Sequence, residues 1–183
     1  MSQFSKGLGS HFMRRIEVCI YLGSIVLASG WIAVLFLPPG LMADGQVVPA
    51  LILYRSFSLI CHQIPERSFQ AFGAPLAVCS RCTAIYVGAL GGLLIYPFVR
   101  TLLQRLDSHT RGSKWGGRGW FVVALLPMAI DVAADWLGLL PNSFTSRAVT
   151  GGIAGLAAAL CILPGVIAAF DEWYRSERPS GLS

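Results

Sequence analysis

Four apolar runs, each about as long as a bilayer is thick, constrain this chain more than any other feature. They cover residues 16–37, 82–99, 119–137 and 148–170. A helix needs roughly 20 mostly apolar residues to cross a hydrocarbon core. Inside lipid it must also satisfy its own backbone amides. The composition agrees, with 55% hydrophobic and only 13% charged residues, about half the charge of an average soluble domain. A soluble core of this size cannot hide so many unbroken apolar side chains. Disordered, collagen-like and coiled-coil architectures are excluded by the same figures. The expected fold is an all-α integral membrane protein, a four-transmembrane-helix bundle forming one domain over residues 1–183.

The segments between the runs set the topology. Residues 1–15 form a basic, polar arm that resembles the start of a signal peptide, and Ala28-Ser29-Gly30 resembles a weak cleavage site. The apolar run continues through Trp31 to Leu37, so an uncleaved anchor is expected. Pro38-Pro39-Gly40 is expected to stop the first helix. Residues 47–60 are too short to span and carry Arg55, which suits a short interfacial helix with the guanidinium snorkelling to water. The formal charge of +5 reflects where the basic residues lie: with the N-terminus inside, ten of the 14 Lys and Arg fall on the inner side and four on the outer. The positive-inside rule then places both termini in the cytoplasm, the tail 171–183 included, and the loop 38–81 outside. The expected location is the cell's inner, cytoplasmic membrane. The basic residues are not interleaved with aromatics, so nucleic acid is not an expected partner. The lipid bilayer is, together with other membrane subunits or further copies of the chain.

Small residues recur at helix-packing intervals: Ala84, Gly88 and Gly92 on the second helix, Gly151 and Gly155 on the fourth. Such spacing lets backbones approach closely in lipid.

The polar residues that stand out lie in the outer loop and at the outer ends of the helices. Cys61-His62 is followed by Cys79-Ser80-Arg81-Cys82. A C-x-x-C pair brings two thiolates to one side of a tight turn, and a Cys and a His from a second segment complete a tetrahedral Cys3His set. Pro65, Gly73 and Pro75 fit a knuckle between the two segments, and Cys82 stands where a helix begins. The expected metal ligands are Cys61, His62, Cys79 and Cys82, with zinc as the metal and iron or copper as alternatives. Adjacent side chains point in different directions, so Cys61 and His62 reach one ion only on a turn; otherwise His62 supports the site from outside the coordination sphere or acts as a base beside Cys61. A redox-active dithiol with Arg81 adding positive charge, and inert thiols, are the competing readings. Cys19 and Cys161 sit in apolar runs, where a thiol behaves as a small hydrophobe.

Asp131 and Asp135 lie four residues apart on one face of the third helix. A charged Asp at mid-membrane costs roughly 2.5–3.5 kcal/mol. The pair therefore either faces a polar cavity, handling a proton as a catalytic group, or lies hydrated at the interface. Arg147, which follows Asn142 and precedes Thr150, is the natural counter-ion for either acid. Asp131, Asp135 and Arg147 are the candidate catalytic residues, expected to line a polar pocket beneath the metal loop.

Cys-His-Gln-x-Pro-x-Arg-Ser-Phe at 61–69 and Cys-x-Arg-Cys-Thr-x-Ile-Tyr-x-Gly at 79–88 resemble the signature of a family of small bacterial and archaeal predicted membrane proteins of unknown function. Asp131, Asn142, Arg147, Thr150-Gly151 and Gly155 resemble its second half, while Asp131-Val132 and the extra Asp135 depart from it. The resemblance implies a membrane bundle with a metal site and supplies no substrate. Three functions remain open at this point: a metalloprotein with a structural or metal-dependent site, a quinone-coupled thiol oxidoreductase using the C-x-x-C, and a non-catalytic accessory subunit of a larger membrane complex.

Overall fold

Each of the four apolar runs is a helix in the computed structural model, which describes residues 2–110, 119–139 and 143–176. In chain order the elements are α1 (Ser2–Leu35), α2 (Leu37–Ala43), α3 (Val47–Phe57), a 3-10 turn (Pro65–Arg67), the strands β1 (Gln70–Ala71) and β2 (Ala74–Pro75), α4 (Ser80–Thr110), α5 (Gly119–Trp136) and α6 (Phe144–Ser176). Among the described residues four stretches are long and apolar enough to cross a membrane: Arg15–Ala43, Ser80–Leu103, Gly119–Trp136 and Phe144–Tyr174, of 29, 24, 18 and 31 residues. At ~1.5 Å per residue even the shortest is about 27 Å long. The chain is an all-α, multi-pass membrane protein.

Pro38-Pro39-Gly40 does not end the first apolar segment as expected. The break comes earlier, at Phe36, and the two prolines enter the opening of α2, where both are buried. A proline lacks the amide that the first helical turn leaves unbonded anyway, so it starts a helix as readily as it stops one. The chain turns back at Asp44 and Gly45, whose φ of 74° suits a residue without Cβ. The short α3 then packs against α2.

Interhelical neighbours give the directions. Trp31 meets Tyr86, and Tyr21 meets Tyr96, so α1 runs antiparallel to α4. Along α4 and α6 the paired numbers rise together: Arg81 against Gly151, Ile85 against Gly155, Gly92 against Leu156. These two helices are therefore parallel. Asp131 and Asp135 at the end of α5 meet the beginnings of α4 and α6, so α5 runs the other way.

The α4–α6 seam is built on glycine. A Cβ added to Gly88 would stand 2.2 Å from the Gly152 carbonyl oxygen, and one on Gly155 would stand 2.0 Å from that of Ile85. Backbones this close gain dispersion contacts that larger side chains would prevent. Leu93, Ala159 and Leu163 continue the buried core toward the far end. At the near end Leu35, Phe57, Cys61, Ala77 and Val78 form a second core, flanked by Val34, Cys79, Cys82 and Tyr86. The polar loop is thus anchored on apolar contacts from α1, α3 and α4.

Candidate metal centre

Two local structures bring the thiols together. Cys61 lies just past α3, where its amide still donates to the Phe57 carbonyl at 3.1 Å. Cys79 immediately precedes α4, and its carbonyl accepts from the Thr83 amide at 2.9 Å. Cys82 follows in the first turn. Helical winding returns Cys82 to the side of Cys79, as the C-x-x-C spacing anticipates. The sulfur atoms of Cys61, Cys79 and Cys82 all lie within 4.8 Å of one another. Two metal–thiolate bonds of about 2.3 Å at a tetrahedral angle put their sulfurs about 3.8 Å apart, so this group could hold one ion with at most a small closing of the three side chains.

The intervening segment is folded to hold this approach. β1 and β2 pair antiparallel, Gln70 opposite Pro75 and Ala71 opposite Ala74. Phe72 and Gly73 between them have φ of 53° and 79°. Two successive positive values match the twist of a tight hairpin turn. Phe69 stacks edge-on against Phe144 of α6, with ring centres 4.7 Å apart. Gln63 also has a positive φ, 50°, which an L-residue adopts at a cost of ~1–2 kcal/mol. Its side-chain amide donates to the carbonyls of Tyr54 at 2.8 Å and Ala77 at 2.7 Å. Those two bonds offset the strain and stitch the Cys61 segment to the approach of Cys79. Sequence analysis missed this role, although Gln63 stands directly beside the Cys-His pair.

The sulfurs already share hydrogen bonds. The Cys79 amide donates to the Cys61 sulfur at 3.2 Å. Side-chain hydrogen bonds from Cys61 and then Cys82 hold the Cys79 thiol well below the ordinary thiol range, against the opposing effect of burial. A sulfur stabilised as thiolate in this way is ready to ligate a soft or borderline cation. His62 is placed differently from the three cysteines. Cys61 is buried and His62 is exposed, and the imidazole lies outside the three-sulfur group. The alternation of neighbouring side chains explains the split. Cys19 is exposed and Cys161 half-buried on the spanning helices, and neither joins the group.

Beside the thiols lies an ion-pair network. Arg81, inside the C-x-x-C, donates to Asp131 at 2.5 Å. Arg147 donates to Asp135 at 3.3 Å, and Arg67 approaches the same carboxylate oxygen at 3.8 Å. The Thr150 hydroxyl donates to the Ser146 carbonyl at 2.8 Å and lies 3.5 Å from Asp131. The spacing of the two acids placed them on one face but did not assign their partners. Arg147 pairs with Asp135, while Asp131 takes the arginine between the cysteines. Arg81 therefore acts as a bridge from α4 to α5 rather than as a charge aimed at the sulfurs. The expected polar pocket is an ion-paired girdle, joined by Arg67 from the loop. Asn142 lies outside the described residues, as do Arg111, Lys114, Arg118 and Arg178 and the side chains of His11 and His109.

Comparison with known proteins follows the same residues. The chain is 43% identical over 115 residues to an uncharacterized protein of Methanocaldococcus jannaschii, covering 63% of this chain and 69% of the relative. It is 58% identical over 104 residues to an uncharacterized protein of Methanothermobacter thermautotrophicus, covering 57% of this chain and 85% of the relative. No solved structure matches. The model of a family described as predicted membrane protein (DUF2085) matches residues 61–161, a stretch holding the three grouped thiols, both aspartates, Arg81 and Arg147. With more than half of its length matched, the chain belongs to the DUF2085 family of predicted membrane proteins.

Proposed function

We propose that this protein is a membrane metalloprotein that holds one zinc ion on Cys61, Cys79 and Cys82. The observation that carries the reading is the convergence of three sulfurs within 4.8 Å from segments 18 residues apart, with Cys79 favoured as thiolate. Thiolate donors suit zinc, and they also suit iron–sulfur chemistry and copper(I). The donor set fits a bound ion: one buried and two half-buried, mutually hydrogen-bonded thiols on an apolar floor have few other ways to be stabilised. Three protein ligands with the neighbouring imidazole outside the group match the open arrangement of catalytic zinc sites more than the closed one of structural sites. The ion would supply a Lewis acid there. Asp131, Asp135 and Arg147 would orient or exchange protons with whatever occupies the fourth position. The positive-inside bias supports a cytoplasmic membrane location with both termini in the cytoplasm and the thiol end outside.

Elemental analysis of protein purified without added metal tests this. About one equivalent of zinc is expected, retained in His62→Ala and lost in Cys79→Ser. Iron or copper in its place would change the metal and keep the site. Less than half an equivalent of any transition metal, with the C-x-x-C oxidised, would reject it.

That last outcome favours a second reading, a thiol oxidoreductase in which Cys79 and Cys82 form a disulfide and pass two electrons and two protons to a quinone. The stabilised Cys79 thiolate supports it. A redox titration showing a two-electron thiol couple and quinone reduction is the discriminating result. Stoichiometric co-purification of other membrane subunits would instead assign an accessory role, with which a zinc site is compatible.

A further inference from the structure

Among the described residues, three buried polar atoms at the thiol end of the α4–α6 seam have no hydrogen-bond partner: Ser80 Oγ, Arg81 Nε and Arg147 Nε. Ser80 is fully buried and the Arg147 side chain is 7% exposed. Buried donors without acceptors are rare because each forfeits its hydration.

These atoms share one place in the fold. Arg81 packs on Gly151, and Ala84 and Gly88 pack on Gly152. Ser80 is one helical turn above Ala84, and Arg147 one turn before Gly151, so both continue the contacting faces toward the thiol end. The two helices are parallel, so their N-termini lie side by side here, each carrying about half a positive charge. Among the described residues Arg67, Arg81 and Arg147 form ion pairs with Asp131 and Asp135, and these five side chains together carry one positive charge. Both arginines pair with their aspartates through a terminal nitrogen, Nη2, which leaves the Nε edge of each fork unused. A guanidinium edge, a hydroxyl and paired helix N-termini are the chemistry that recognises a phosphate group.

We propose that the thiol end of the α4–α6 seam binds one phosphate-bearing anion, through Ser80, Arg81 and Arg147 with Arg67 at its rim. The proposal shares Arg147 with the metal reading but does not depend on a bound ion. Two sources carry the same chemistry: free phosphate, and the phosphodiester of a lipid headgroup at the membrane surface.

The test uses the full chain in a phosphate-free maltoside detergent. Inorganic phosphate is titrated against chloride at constant ionic strength, and binding is read by calorimetry and by the unfolding temperature. A short-chain phosphatidylglycerol is titrated in parallel with the matching diacylglycerol. Saturable binding of phosphate assigns the free anion. Saturation by phosphatidylglycerol but by neither phosphate nor diacylglycerol assigns the headgroup. Arg147→Lys keeps the charge but removes Nε, and is expected to weaken binding about tenfold. Arg67→Gln, at a side chain 46% exposed, is expected to fold normally and weaken binding about threefold. It keeps the test decisive should Arg147→Lys fail to fold. No saturable binding by either probe would mean that water satisfies these donors, and would overturn the proposal. Equal binding by the wild-type chain and every variant that folds would overturn it too.

Discussion

The α4–α6 seam and the α5 helix solve the same problem in opposite ways. Along the seam, glycines at 88, 92, 151 and 155 let two parallel backbones touch. α5 has no buried residue at all, yet it packs on α6 and is fastened at one end by Asp131 and Asp135. In lipid there is little hydrophobic gain in bringing helices together, so association rests on close packing or on polar contacts. The seam uses the first and α5 the second. Backbone packing is spread over several turns and leaves no room for a side chain at Gly88 or Gly155. A polar clamp concentrates the attachment in a few atoms and leaves the rest of the helix facing lipid or a partner.

Substitutions can break this contrast in graded steps. Gly155→Ala is expected to be the most damaging, because the new methyl group meets the Ile85 backbone rather than a flexible side chain. A loss of about 3 kcal/mol is expected from overpacking. Gly23→Ala and Gly30→Ala, with nothing within 4 Å, are the matched controls. Thermal unfolding in detergent reads all three, and equal stability across them would refute the packing argument.

The clamp comes next. The carboxylate of Asp135 is more exposed than that of Asp131, 30% against 11%, which alone would make Asp135 the easier to replace. The cation left behind reverses that order. Removing Asp135 strands the 7%-exposed Arg147, whereas removing Asp131 strands Arg81, which is 19% exposed. Asp135→Ala is therefore expected to cost about 3 kcal/mol and Asp131→Ala about 2, from the penalty of an unpaired buried charge. The double variant Asp131→Ala/Arg81→Gln should recover part of the loss, and strict additivity with the two single variants would show the pair to be uncoupled.

At the thiols the expected readout is metal rather than stability. Cys79→Ser should lower zinc affinity by more than about 100-fold, beyond what loss of an outer-shell partner does. If these thiols hold an ion, acidification should release it from the wild-type chain, since a thiol must give up its proton to ligate. Gln63→Ala removes two hydrogen bonds between the cysteine segments and should weaken zinc about tenfold. Unchanged affinity would mean that Gln63 serves the loop alone. The smallest effect belongs to Cys19→Ser and Cys161→Ser, which should leave zinc content as it is. Metal loss in either would place the site elsewhere.

Much of the bundle could be read directly from the residues, because a membrane span is a local matter of length and apolarity. The glycine spacing on the second and fourth apolar runs marked the helices that pack most closely. The C-x-x-C and the earlier Cys61 marked the three sulfurs that meet. Other features had no such signal. Phe72-Gly73 turns a hairpin without the usual Asn-Gly, and its sharpness appears only in the backbone angles. The helix break at Phe36 depended on where two prolines fell relative to the first turn of α2, a matter of a few residues.

The amino-acid order alone determined that the chain crosses a membrane in helices, and that sulfur and acidic groups gather at one end. Each of these follows from periodicity and distance along the chain. Which arginine neutralises which aspartate, the exposure of His62 beside a buried Cys61, and the three donors left unpaired at the seam were decided only in three dimensions. They depend on how each helix is rotated about its own axis and how far it slides along its neighbour. Those two quantities are set by all the contacts at once, and by no single stretch of residues.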